Sequence, residues 1–238
     1  MISVKNDFSD RVDEIDKYYY LLFNILKKES QLVFPSEDNR MESFDVTLTA
    51  TLKSNMFLLL YNLVESTITK CLIEIHNSIC DENCTYVQLS PQIQNLFTNH
   101  YYKSLINGNI SEENTLLHIR TMIHSWVFNE KFSLTFEDLT KYKTGSNFSG
   151  NLDAKEIRKI ATKYGVTFDL KSEEIKILKE YRNKLAHGEI SFQDASKLRS
   201  IEYFENLKTK TINFLNHFIT AVDTYVNQKE FKTTTIQK

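Results

Sequence analysis

Only seven of the 238 residues, five glycines and two prolines, belong to the types that most readily break regular backbone. Average usage would supply roughly 17 glycines and 12 prolines over this length. Sandwiches, propellers and doubly wound α/β folds need turn residues at short intervals. The sequence therefore predicts a mainly α protein built from long helices. Hydrophobic residues at 41% and charged residues at 25% are ordinary for a globular chain and exclude disordered, collagenous and low-complexity classes.

Apolar residues recur at helical spacing through Ile15, Tyr18, Tyr19, Leu22, Phe23 and Leu26, which predicts an amphipathic helix over about 8–29 that ends before the polar break Pro35-Ser36-Glu37-Asp38-Asn39. From Thr47 to Asn83 there is neither Gly nor Pro, and a stripe from Leu48 to Ile79 predicts one helix of roughly 55 Å. Ser90-Pro91 marks the start of another, and Glu112 to Phe128 reads as a further helix. Residues 131–136 and 166–170 alternate apolar and polar, which predicts a small β element near residues 131–170. Between them lie a turn-rich segment, Gly145 to Asn151, and a helix from about Leu152 that Gly165 closes. Ser172 with Glu173 and Glu174 opens a helix that Gly188 ends, and Ser191-x-x-Asp194 has capping-box spacing. A last helical stripe runs from Leu198 to about Phe231. The expected organisation is one helical domain over 1–231 with a frayed tail at 232–238.

The 29 Lys and Arg against 31 Asp and Glu leave a net charge of −2, so no global positive field draws in nucleic acid or anionic lipid. Any nucleic-acid contact is expected to be local. The first residues lack a signal-type apolar core, and the longest apolar run, Met56 to Tyr61, is short for a bilayer, so a cytoplasmic protein without a membrane partner is expected. Three cysteines are too few for a disulfide framework. His76, Cys80 and Cys84 fall at i, i+4 and i+8 and could offer metal ligands from one helix face, but free cysteine is also a common small core residue. Neither a metal nor a cofactor is expected.

The string that carries chemistry is Tyr181-Arg182-Asn183-Lys184-Leu185-Ala186-His187-Gly188. Arg182 offers a planar cationic fork matched to phosphate oxygens. His187 offers a side chain type that moves protons near neutrality. Asn183 could orient the imidazole or bind substrate. On an ideal helix Asn183 and His187 are neighbours, whereas Arg182 lies about 140° from His187. The two converge if the last turn loosens at Gly188, or they meet across a second chain. A structural role remains open beside this one: Arg182 paired with a nearby Glu, and His187 capping the helix C-terminus.

The spacing Arg-Asn-x-x-x-His at a helix end resembles the HEPN superfamily of prokaryotic ribonucleases and toxins. Three further strings are similar to its MAE-like branch: Phe57 to Ile68 on the long helix, Ser149-Gly150-Asn151-Leu152-Asp153-Ala154 with Ile157-Arg158 and Tyr164-Gly165-Val166, and Arg182 to Gly188 with Ser191-Phe192. The resemblance spans nearly the whole chain. It implies a HEPN-type helical bundle with long antiparallel helices, dimerisation that brings two R-x-x-x-x-H motifs into one cleft, and metal-independent endoribonuclease activity of toxin or antiphage-defence type. It also implies Arg182 and His187 as catalytic, Asn183 as their supporting polar residue, and an antitoxin or companion protein from the same operon as a partner. The alternative is a catalytically silent HEPN module that binds RNA or a partner protein as the regulatory half of a pair. Where HEPN toxins silenced by nucleotidyltransferases often carry Tyr, two places after the His, this chain has Glu189, so control by AMPylation is not expected.

Further candidates for substrate binding are Lys184, the basic face Lys155, Arg158 and Lys159 with Lys163, and Glu65 on the long helix. The basic face could track an RNA backbone or be simply solvated. Glu65 could neighbour the catalytic Arg or face solvent.

Overall fold

A computed structural model describes residues 1–107 and 151–233, with a few isolated positions between 116 and 128. Its helices are α1 (Ile2–Lys27), α2 (Val46–Asp81), α3 (Pro91–Asn107), α4 (Ala154–Tyr164), α5 (Glu173–Ala186), α6 (Phe192–Ser196) and α7 (Ile201–Asn227). Strands β1 (Gln31–Phe34) and β2 (Arg40–Ser43) form an antiparallel hairpin between α1 and α2.

The bundle is organised around α2. Met56, Phe57, Leu60, Tyr61, Leu63 and Val64 are all buried, so α2 is covered around most of its circumference rather than along one stripe. It is also the one described helix long and apolar enough to cross a bilayer, and 56% of that apolar window is buried inside the bundle. Pairs along the rims fix the directions of its neighbours. Asp7 pairs with Lys70, and the Tyr18 hydroxyl donates to the Leu52 carbonyl at 2.6 Å. Lys5 pairs with Asp223 at 2.6 Å and Lys27 with Glu202 at 2.5 Å. Thus α2 and α7 both lie antiparallel to α1.

Local chemistry sets the boundaries. Asp45, Asp153, Ser172, Ser191 and Ser200 each accept a backbone N–H of the first turn of the helix they precede. Gly165, at φ +81°, reverses the chain after α4, and the Val166 N–H returns to the Ala161 carbonyl at 2.9 Å.

Three expectations are corrected. The described sheet lies at 31–34 and 40–43, flanking the polar break, and not near 131–170. Residues 166–170 form no strand; Phe168 turns inward instead, edge-on to Phe214 and Phe218. The candidate strand at 131–136 lies outside the described residues, as do the turn at 145–150 and most of the helix expected over 112–128. The last stripe is a shorter helix than expected, Ile201–Asn227, because Ser200 caps its start and Leu198, which fits the helical spacing, is 97% exposed in the connection. In the expected tail, Lys232 pairs with Glu82 at 2.5 Å and the Thr233 N–H donates to the Gln88 carbonyl at 2.8 Å; residues 234–238 lie outside the described set.

Candidate active site

The Arg182–His187 string occupies the C-terminal turn of α5 and the residue that caps it. Ser172 and the two acids after it favour the helix start, and Gly188 at φ +70° permits its end. The Gly188 N–H bonds to the Leu185 carbonyl at 3.3 Å and the Glu189 N–H to the Lys184 carbonyl at 2.9 Å, a Schellman-type closure. The last turn is therefore tightened, not loosened. His187 keeps near-helical backbone and an exposed side chain. No hydrogen bond joins Arg182 to His187 within the described residues.

Arg182 is half-buried, with its guanidinium 5.6 Å from the ring centre of Tyr61 on α2 and its Nη1 donating to Asn183 Oδ1 at 3.1 Å. Among the described residues it meets no carboxylate within ion-pair distance. Tyr61 is fully buried, and its hydroxyl accepts the Leu152 N–H at 2.9 Å. Burial pushes the Tyr61 hydroxyl far above its ordinary range, and the Glu65 carboxylate beside it pushes the same way. Glu65 is half-buried next to Tyr61, and its charge and that of Arg182 both act on the Tyr61 hydroxyl. Asn183 therefore supports Arg182 directly rather than His187.

The connection after His187 is anchored from α2. Lys53 is buried, and its Nζ donates to the Ser196 carbonyl at 3.1 Å and the Arg199 carbonyl at 2.8 Å. Burial lowers its pKa. Ser54 donates to the Phe192 carbonyl, and the Ser196 hydroxyl donates to the Ala50 carbonyl at 2.6 Å. On the other side Phe57 stacks on Tyr181, centroids 4.3 Å apart and 8° from parallel. One stretch of α2 thus fixes both α5 and α6, and with them the short connection that carries His187.

A family model, the MAE_28990-like HEPN family, matches residues 3–231 of the chain. The chain belongs to this HEPN family. Neither the comparison with curated proteins nor that with solved structures gave a match.

In this HEPN protein the remaining candidates are scattered. Lys184 is exposed on the outer face of α5. Lys155 and Lys163 point to solvent from α4, but Lys159 is paired with Glu156 at 3.0 Å. Arg158 folds onto the segment after Gly165, with Nη1 donating to the Leu170 carbonyl at 3.1 Å and Nε 3.6 Å from Asp169. His76, Cys80 and Cys84 do not form a ligand set. The buried His76 Nε2 lies 2.9 Å from the Tyr164 hydroxyl, and Cys84 lies beyond the end of α2. Among the described residues no group of three His, Cys, Asp or Glu side chains could hold a metal ion.

The roles of Tyr61 as the platform for Arg182, and of Lys53 and Arg199 as anchors of the neighbouring turn, do not show in the sequence pattern. Tyr61 carried one local signal, its i, i+4 spacing to Glu65 in an apolar stretch. Lys53 carried another: a charge inside an apolar helix stripe must find buried acceptors.

Proposed function

We propose that this HEPN protein is a metal-independent endoribonuclease of toxin or antiphage-defence type whose active site is completed by a second copy of the chain. The observation that carries the reading is Arg182, a half-buried guanidinium held by an aromatic face and a neutral amide, with no carboxylate among the described residues to cancel it. A guanidinium without a paired carboxylate attracts a phosphate and offers a geometry that fits one.

The 2'-hydroxyl of RNA attacks the adjacent phosphorus, and the 5'-oxygen of the next nucleotide leaves. A base takes the proton from the 2'-oxygen and an acid delivers one to the leaving 5'-oxygen, giving a 2',3'-cyclic phosphate and a 5'-hydroxyl. One imidazole cannot stand on both sides of the phosphorus. Two copies of His187 supply base and acid, while Arg182 stabilises the charge of the pentavalent phosphate. The divergence of Arg182 and His187 around α5 supports a site shared between chains. Cytoplasmic action on RNA, with restraint by a companion protein, fits this reading.

Purified protein is expected to cut labelled tRNA or mRNA pools in EDTA, and Arg182→Ala or His187→Ala is expected to lower the rate at least about 100-fold. Parent-like cleavage by either variant overturns the reading. One observation favours the alternative of a silent binding module: no side chain among the described residues orients the His187 imidazole. That alternative predicts binding of RNA or a companion protein with no cleavage at any enzyme concentration.

A further inference from the structure

We propose that Arg199 is a second phosphate-binding residue of the RNA site, taking a backbone phosphate on a different flank of α5 from Arg182; the inference rests on RNA being the substrate. Arg199 lies in the connection between α6 and α7, outside the R-x-x-x-x-H string. Its guanidinium is held between two tyrosines, 4.2 Å from the ring centre of Tyr203 and 5.0 Å from that of Tyr181, and its Nη2 donates to the Tyr181 hydroxyl at 2.6 Å. Its own carbonyl is fixed by Lys53. The side chain is therefore pre-set, and little rotamer entropy remains to be lost when it binds.

Charge distinguishes Arg199 from the arginines that serve as surface staples. Arg11, Arg40 and Arg158 each face a carboxylate. Arg199, like Arg182, meets none among the described residues. Glu174, whose field reaches Tyr203, is itself paired with Lys210 at 2.8 Å. Among the described residues, Arg182 and Arg199 thus both rest on aromatic faces without a carboxylate partner.

Helix geometry places them. Tyr181 and Arg182 lie about 100° apart around α5, and Leu178 and Leu185 point inward between them. Arg182 leans to the flank of Tyr61, while Arg199 reaches the other flank through Tyr181. The outer arc between the two arginines carries Asn183, Lys184 and His187. The two arginines thus lie on different flanks of a helix roughly 10–12 Å across with its side chains, which suits them to different phosphates. A strand laid over His187 meets Arg182 at one phosphate and Arg199 at another.

The test uses the full protein and a 2'-O-methyl RNA oligonucleotide, which cannot be cut by 2'-hydroxyl attack. Binding is measured by fluorescence anisotropy over a salt series. For a single strand, each phosphate that the protein no longer neutralises reduces the slope of log K against log salt by about 0.7. Arg199→Gln is expected to show a reduction of about that size. Arg199→Lys is expected to keep the slope but bind at least about threefold more weakly, because charge remains and the stacked fork does not. A staple with no RNA role would lower the melting temperature and leave slope and affinity at parent values, which overturns the proposal. Should Arg199→Gln fail to fold, parent-like affinity in Arg199→Lys overturns it. Failure of the parent to bind the oligonucleotide also overturns it. An Arg199-dependent slope in a protein that cuts no RNA supports this inference while removing the nuclease reading; cleavage with an unchanged slope does the reverse.

Discussion

Two helices of this protein carry clustered basic residues and dispose of the charge in opposite ways. On α4, Arg158 is drawn to Asp169 and the Leu170 carbonyl, and Lys159 to Glu156. On α5 and the turn that follows α6, Arg182 and Arg199 rest on tyrosine rings with no carboxylate partner among the described residues. By sequence the two helices are alike in cations, α4 and α5 each carrying four Lys or Arg. By structure, the two guanidinium groups that rest on tyrosine rings without a carboxylate partner among the described residues belong to α5 and the turn after α6. What separates a phosphate site from a solvated basic face is therefore the partner of each cation rather than the number of cations.

Arg182→Lys probes the α5 side of this contrast most severely. It keeps the charge and loses the planar fork and the stacking on Tyr61, and cleavage is expected to fall at least about tenfold. A full-rate lysine variant would mean that charge alone suffices and that the contrast with α4 has no chemical meaning. Next in size is Tyr61→Phe, which keeps the ring beneath Arg182 but leaves the buried Leu152 N–H without its acceptor. Urea titration is expected to show a loss of about 1–3 kcal/mol, with cleavage at protein concentrations above any binding constant nearly retained. Tyr61→Leu is expected to lose cleavage as well, because the platform for Arg182 is gone.

A smaller effect concerns the entry to α4. Burial raises the Asp153 carboxyl, but Lys179 at 2.5 Å and the α4 amides outweigh it and hold the group below its usual range. A carboxyl depressed in the folded state contributes stability above its ordinary pKa of about 3.9, and that contribution is lost as pH falls through the folded value. Asp153→Asn keeps a good cap and is expected to flatten the acid limb of a stability-against-pH curve below about pH 4. The smallest effect is expected on the outer face of α4: Lys155→Gln and Lys159→Gln should change cleavage by no more than about twofold. A tenfold loss from either would move RNA onto α4 and reverse the comparison.

Much of this was legible along the chain wherever local chemistry decides. Ser172 and Ser191 cap the helices they precede, Gly165 and Gly188 take the left-handed conformation that ends α4 and α5, and the unbroken run before Asp81 is one helix. The hairpin was not legible, because its residues are exposed on both faces and no alternation of burial marks them. Leu198 misled for the opposite reason: its spacing to Ile201 suits a helix stripe, yet the new cap at Ser200 leaves it in solvent. Within the site, the order of Arg182, Asn183 and His187 could be read, but the pairing of Arg182 with Tyr61 joins helices far apart in sequence and follows from packing alone.

That Arg182 and His187 promote attack by the RNA 2'-hydroxyl is tested most directly by identifying the ends of RNA cut by the purified protein in EDTA. The expected products carry 2',3'-cyclic phosphate and 5'-hydroxyl ends, absent from reactions with His187→Ala. Ends bearing 5'-phosphate, or cleavage that stops on chelation, would contradict this chemistry.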